Sequence, residues 1–339
     1  MARLDVLRVG PGVTVQDMGR PGYLAQGLSR GGAMDRNAII EGAVLLGQDT
    51  RLAALEIGGS YLSVQATVPL RVAFTGAPMR ALCEGAPLGW NASHAVPDGA
   101  RLDLSGSQGG YSYLHVGGGI DAPHVLGARS AHLAAGIGQM VTVGDRMPVG
   151  GDDGGRVNMF LPADDRFDGG LLRIVDTSQT RLFPDALRER FLETEFGKDA
   201  RGNRMGQRLV SAGDDFALQA GLHLLSEVVV PGDIQITGDG VPFVLLAECQ
   251  TTGGYPRIGT VLPSDLPRLV QAPAGAALRF QRVSIEEGRE IEQAEAVRLA
   301  ALCKALQPLH RDPQSIRDLL SYQLISGVTV GDDLEREKE

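Results

Sequence analysis

Ten consecutive residues, Gln250-Thr251-Thr252-Gly253-Gly254-Tyr255-Pro256-Arg257-Ile258-Gly259, gather an amide, two hydroxyls, a phenol and a guanidinium around a Gly-Gly pair. Glycine lets a backbone approach a bound molecule closely, and the flanking amide and hydroxyls can then exchange hydrogen bonds with it. The stretch follows the apolar run 243–247, which reads as a buried strand, and it reads as a ligand-facing loop. A second dense stretch, residues 10–22, sets Gln16, Asp17 and Arg20 among turn residues. An aspartate and an arginine this close either brace a loop or hold a polar substrate with paired hydrogen bonds. Arg129 and Arg204 each sit among small residues in Gly127-Ala128-Arg129-Ser130 and Asn203-Arg204-Met205-Gly206. A guanidinium so placed can grip a carboxylate or phosphate, or cap backbone carbonyls.

Other patterns point away from familiar chemistries. Gly27-Leu28-Ser29-Arg30-Gly31 has the G-x-S-x-G form, but a nucleophile elbow needs a helix to start at once, and Gly31-Gly32 intervenes. Gly117-Gly118-Gly119 mimics a dinucleotide fingerprint, yet Pro123 and the missing helical pattern favour a tight packing loop. The six histidines show no metal-ligand spacing, and His115, inside an apparent strand, reads as structural. Glu227, Asp239 and Glu248 lie near strand ends, and any of them could serve as a general base; nothing in the sequence pairs them, so no nucleophile or base is assigned. Of 32 lysines and arginines only three are lysine, and the lone Gly197-Lys198 is followed by Asp199, so no P-loop exists. No Met-Lys pair offers a biotinyl attachment site.

A net charge of −9 favours neither nucleic acid nor an anionic membrane surface, and no run approaches a bilayer span. Cys83, Cys249 and Cys303 are distant and odd in number, which suits a reducing compartment; with no apolar leader at the start, a cytoplasmic protein is expected. Short alternating runs recur at 4–9, 61–66, 70–74, 101–104, 111–116, 171–175, 222–230, 243–247 and 278–283, separated by turn signals. That rhythm predicts antiparallel barrels or sandwiches, a mainly β protein with few helices. Helices are expected at 35–46, with Asp35 as N-cap and Gly47 past the end, at 184–196, and at 285–306 behind a Ser284/Glu287 capping box. A Gly/Asp-rich segment at 150–170 divides the chain, giving expected units 1–150, 151–283 and a C-terminal helical extension 284–339. Residues 97–104 resemble 273–280, a short repeat that a duplicated barrel or chance would equally explain. The charged residues 331–339 are expected to fray.

Taken in order, Val15–Gly22, Gly32–Asp35, Ala54–Ile57, Gly117–Ser130, Arg204–Leu209, Ile234-Gln235 and Gln250–Pro256 resemble the motifs of one family. It comprises allophanate-hydrolase-subunit-2-like proteins, the A and B subdomains of urea carboxylase carboxyltransferase, and the C component of bacterial 5-oxoprolinase. The resemblance covers roughly residues 4–283 and implies two linked cyclophilin-like β-barrel subdomains. It also implies a substrate cleft between them built from Gln16, Asp17, Arg20, Arg129, Arg204, Gln235, Gln250, Thr251, Thr252, Gly253, Gly254 and Tyr255, without metal. The activity implied is ATP-dependent opening of 5-oxoproline to glutamate, with ATP used at the level of a complex. Its implied partners are an allophanate-hydrolase-subunit-1-like protein and a barrel-type subunit. Two alternatives stand beside it: a biotin-dependent carboxyltransferase component, with biotin on a separate carrier, and a non-catalytic regulator of the Kip type. Departures fall in the loops: Thr177-Ser178-Gln179 where Gly-Pro-Gln is common, Gly202-Asn203 before Arg204, Ala128 and Ala131 around Arg129, and Glu248 where aspartate is common.

Overall fold

The structure is a computed structural model that describes residues 2–106, 110–213, 215–218 and 225–310. Among these the chain is mainly β, with four α-helices: α1 (Arg36–Leu46), α2 (Asp185–Glu193), α3 (Leu266–Gln271) and α4 (Ile285–Ala300). The first half holds two sheets. The five-stranded one runs in the order Val13–Gln16, Ala54–Gly58, Tyr111–Val116, Leu70–Gly76, Ser93–Val96, with every pairing antiparallel. Alternating apolar residues from both sheets, among them Leu4, Val64, Leu102, Leu55 and Phe74, close one core. The second half is a seven-stranded sheet around Leu172, Ile234, Val244 and Leu278. Its core is aromatic: Phe191 stacks on Phe280 at 4.9 Å and meets Phe216 edge-on at 5.4 Å.

The mainly-β expectation holds, because period-two alternation only buries one face if the segment is extended. The repeated segments part company at the level of pairing. Strand Arg101–Ser105 sits inside its sheet between antiparallel neighbours, whereas Leu278–Arg282 is an edge strand parallel to Gly170–Val175. The run expected at 222–230 is described only from residue 225, where Glu227–Val228 forms a two-residue strand. The expected fraying of 331–339 lies outside the described residues.

Helix α1 starts as its sequence dictates: the Asp35 carboxylate accepts from Ala38 N at 3.2 Å, and Gly47 ends it at φ 63°, a left-handed conformation that glycine adopts without strain. Gly42 lets α1 lie directly on a histidine; a Cβ there would stand 2.3 Å from the His115 ring. Gly42→Ala is therefore expected to lower stability by about 1–3 kcal/mol, read from the urea midpoint, despite the better helix propensity of alanine.

His115 is structural, as expected. The Thr75 hydroxyl donates to Ala38 O at 2.9 Å, so it must accept from His115 Nε2 at 2.8 Å. Burial pushes the imidazole pKa down to about 3. An unfolded chain takes up that proton near pH 6.5 and the folded one does not, so stability is full above 6.5 and falls as pH drops towards 3. The slope is about 1.4 kcal/mol per pH unit. His115→Gln should flatten this acid limb when urea midpoints at about pH 7.5 and about pH 5 are compared.

Helix α4 carries the expected capping box, Ser284 with Glu287. It stops at Ala300, earlier than the expected 306. The chain then turns through a 3-10 segment, Leu302–Ala305, so that Leu302 and Leu306 reach Leu45, Leu46 and Leu161. Strand Gln307–Pro308 finally pairs with Met159–Phe160. A continued helix could not lay those leucines against the first half. Likewise α2 ends at Glu193, short of 196, and Phe196 leaves the helix to enter the aromatic core.

Candidate functional site

Residues at the end of the Val13–Gln16 strand organise a loop from far along the chain. Gln16 Nε2 donates to Thr14 Oγ1 at 3.0 Å and to Ala131 O at 3.2 Å. Asp17 accepts from Gly19 N at 2.8 Å, Arg129 N at 2.6 Å and the Ser130 hydroxyl. Arg20, only 1% exposed, donates to Val125 O and Ser130 O. Asp17 and Arg20 thus both fasten the segment 125–130, the bracing alternative of the sequence reading. Two atoms are left over: Gln16 Oε1 and Arg20 Nη1 are buried and have no hydrogen-bond partner among the described residues. Arg129 turns outward to Asp121 at 2.8 Å and to Ala122 O, beside a groove of about 810 Å³ that also borders Met140.

The seam between the two halves is charged. Arg204, from the second half, donates to Glu248 Oε1 at 2.5 Å, to Gly32 O at 2.6 Å and to Glu56 Oε1. Burial opposes its charge, but Glu56 and Glu248 hold its pKa above the ordinary arginine value. Burial raises the Glu56 pKa, against the pull of Arg204. Glu56 also accepts from Tyr113 OH at 2.7 Å and Met34 N at 2.8 Å, which fixes the start of α1 to the sheet. Ser29 Oγ lies 2.9 Å from His132 Nε2, and His132 Nδ1 lies 3.8 Å from Glu248 Oε2. Hydroxyl, imidazole and carboxylate follow the order of a nucleophile relay. All three are buried, and burial lowers the His132 pKa, with Glu248 offsetting it in part. Only the hydroxyl–imidazole contact is a hydrogen bond: His132 Nδ1 is buried with no partner among the described residues and lies too far from Glu248 to bond it. The three groups therefore form no connected relay, and the arrangement also differs from the strand–turn–helix elbow of the G-x-S-x-G pattern.

A second cross-link lies nearer α1. Arg166 bonds Asp35 at 2.8 Å, Glu41 at 2.7 Å and Asp164 at 2.8 Å, while Gln271 Nε2 reaches the same Asp35 carboxylate at 2.7 Å. Burial raises Glu41 to about 7 even with Arg166 beside it.

The polar loop stands apart from this buried network. Gln250, Thr252, Gly254 and Tyr255 are exposed, Tyr255 by half. Strand Thr252–Gly253 pairs with Glu227–Val228, and Gln250 Nε2 donates to Gln235 Oε1 at 3.2 Å. Gln235 is buried with Nε2 unpartnered among the described residues, and a Cβ on Gly253 would come within 2.5 Å of it, so a side chain at 253 would displace the Gln235 amide. The turn at Gly27 rises beside Thr251, since a Cβ there would lie 3.9 Å from the Thr251 hydroxyl. Of the sequence candidates, Gln16, Asp17 and Arg20 converge on the segment 125–131 that carries Arg129. Gln235 and Gln250–Tyr255 form a second group, and Arg204 occupies the seam.

Sequence reading missed Glu56, Tyr113 and His132. Glu56 left a signal: a carboxylate inside Ala54-Leu55-Glu56-Ile57, a strand buried on both faces, must be paired. His132 left none, since Ser29 and Glu248 lie more than a hundred residues away on either side. Among the described residues, no cluster of three or more His, Cys, Asp or Glu is placed to hold a metal, and no helix is long and apolar enough to cross a membrane.

Two joined β bodies, a guanidinium-centred seam and an exposed Gln-Thr-Thr-Gly-Gly-Tyr loop define a carboxyltransferase-type fold. The family described as carboxyltransferase domain, subdomain A and B, matches residues 26–282, and the chain belongs to it. It is 34% identical to the C component of Escherichia coli 5-oxoprolinase over 298 residues, covering 86% of this chain and 94% of that protein. Urea amidolyase of Saccharomyces cerevisiae is 23% identical over 325 residues; the match takes in 88% of this chain and 18% of the yeast protein. The solved structure of TTHA0988 superposes with a TM-score of 0.76 at 28% identity, over 83% of this chain and 56% of that one.

Proposed function

We propose that this chain is one subunit of an ATP-dependent 5-oxoprolinase complex, and that it supplies one wall of the site where the lactam is opened to glutamate. The observation that carries this reading is the similarity to the C component of 5-oxoprolinase over 86% of this chain and 94% of that protein. The geometry supports a shared site. The buried charges of the seam are compensated within the chain, whereas the amide, hydroxyl and phenol of Gln250, Thr252 and Tyr255 face outward. Donors and acceptors of this kind suit a small carboxylated lactam once an opposing surface excludes water. The opposing surface would come from an allophanate-hydrolase-subunit-1-like partner, with a barrel-type subunit completing the complex in the cytoplasm. With no Gly-Lys-Ser/Thr loop in the sequence, ATP is assigned to the complex and no step is routed through this chain alone.

The test is ATP-dependent glutamate release from 5-oxoproline by the reconstituted subunits. Thr252→Val and Gln250→Ala should each lower turnover by about tenfold or more, the scale of one lost polar contact, with unchanged thermal unfolding. Full turnover by the lone chain, or by both variants in the complex, would remove the shared wall from consideration. The match to urea amidolyase supports a second reading, a biotin-dependent carboxyltransferase component acting on urea or a related amide. Copurification with a biotinylated carrier and urea-dependent ATP consumption would favour it; an avidin-silent complex that opens 5-oxoproline would sink it.

A further inference from the structure

Between the halves, under α4, lies a cavity of about 380 Å³ that shares none of the residues assigned to the lactam. Its walls are mainly apolar, including Met18, Met34, Ile40 and Leu246. Two guanidiniums border it, Arg30 and Arg36. Neither forms an ion pair with a carboxylate among the described residues. Arg30 Nε donates to Met18 O at 2.9 Å, and Arg36 Nε is buried with no hydrogen-bond partner among those residues. Burial and then the neighbouring Arg30 push the Arg36 pKa down to about 10. Both side chains are partly buried and Asp17 offsets the charge of Arg30 in part, whereas Arg36 has no carboxylate against it among the described residues, so an anion beside Arg36 would be favourable.

The α4 wall has the other character. Helix α4 turns Glu292, Glu295, Ala296 and Leu299 towards the cavity, one face of the helix. Glu292 Oε1 accepts from Ser264 N at 2.9 Å, and Glu295 accepts from Asn37 at 3.1 Å and Arg298 at 2.7 Å. The Ser264 hydroxyl, also on the cavity wall, is buried without a partner among the described residues. So the lining combines two guanidiniums, an apolar surface and the carboxylate acceptors of α4. A single carboxylate can pair with the guanidiniums, and a second negative charge on the ligand would add repulsion from the two glutamates. A volume of this size suits a small molecule.

We propose that this cavity is a binding site for a small monocarboxylate with an apolar body and an N–H donor, its carboxylate held by Arg30 and Arg36 under the α4 roof. The site stands apart from the 5-oxoprolinase reading and is tested on the full chain alone, without ATP or partners. N-acetyl-L-leucine serves as the probe in calorimetry. It should bind, while N-acetyl-L-leucinamide, which lacks the charge, and acetate, which lacks the body, should bind at least about tenfold more weakly. Arg36→Gln and Arg30→Gln should each weaken the probe by about tenfold or more. In the unaltered chain, the probe should protect Arg36 from phenylglyoxal, read by peptide mass spectrometry. Absence of binding heat at millimolar probe, equal binding by both variants, or unprotected Arg36 would each overturn the site. The protection measurement needs no substitution, so a variant that fails to fold leaves the decision intact.

Discussion

Arg204→Met is expected to destabilise the protein by about 3–5 kcal/mol, because it leaves Glu56 and Glu248 as buried carboxylates without their cation. The loss should depend on pH. Burial already raises the Glu56 pKa, and removing the guanidinium raises it further. A group whose folded pKa lies above its unfolded value contributes stability at low pH and loses it as pH rises. The gap between variant and parent should therefore be widest at about pH 8 and narrow towards about pH 5, when equilibrium urea curves are compared. Arg204→Lys should recover only part of the loss, since one ammonium cannot serve Glu248, Glu56 and the Gly32 carbonyl together. A pH-independent deficit would mean that the seam is held by packing rather than by charge.

The second large effect belongs to Arg166. Arg166→Met strips the cation from Asp35 and Glu41 and should cost about 3–5 kcal/mol. Here a compensating change distinguishes charge from shape. The double variant Arg166→Met with Glu41→Gln removes one uncompensated carboxylate, so it should be more stable than Arg166→Met alone. If the double variant were the worse of the two, the arginine's aliphatic packing would be the dominant contribution. Asp35 keeps its capping bond to Ala38 and its contact with Gln271 in both variants, so α1 should survive.

These two arginines also show where sequence reading ends. Local features were legible: the Asp35 cap, the Gly47 stop, the Ser284/Glu287 box and the alternating strands all depend on neighbours within a few residues. The Gln250–Tyr255 loop stood out because its polar groups are adjacent in sequence. The cross-links depend on partners fixed only by folding. Arg204 meets a glutamate 148 positions away, and Arg166 meets its aspartate at a separation of 131. An arginine among small residues reads the same whether it faces a ligand or a buried carboxylate. Gln16, Asp17 and Arg20 stand out in sequence for their chemistry, and in the fold their bonds hold a neighbouring loop. Helix α4 is legible in sequence at its start but not at its end, because its stop is set by leucines that must reach α1.

The pairing of Gln307–Pro308 with Met159–Phe160 has a consequence for biogenesis. A ribosome delivers the first half complete, and that half can fold as soon as it emerges. Its leucine-lined face at Leu45, Leu46 and Leu161 then waits uncovered until the chain has grown as far as Leu302 and Leu306. Throughout that interval the nascent protein displays an apolar patch, a feature that invites chaperones or aggregation. A premature stop codon after α4 would make that exposure permanent. The strand Gln307–Pro308 is small, but its arrival distinguishes a sealed first half from an abandoned one.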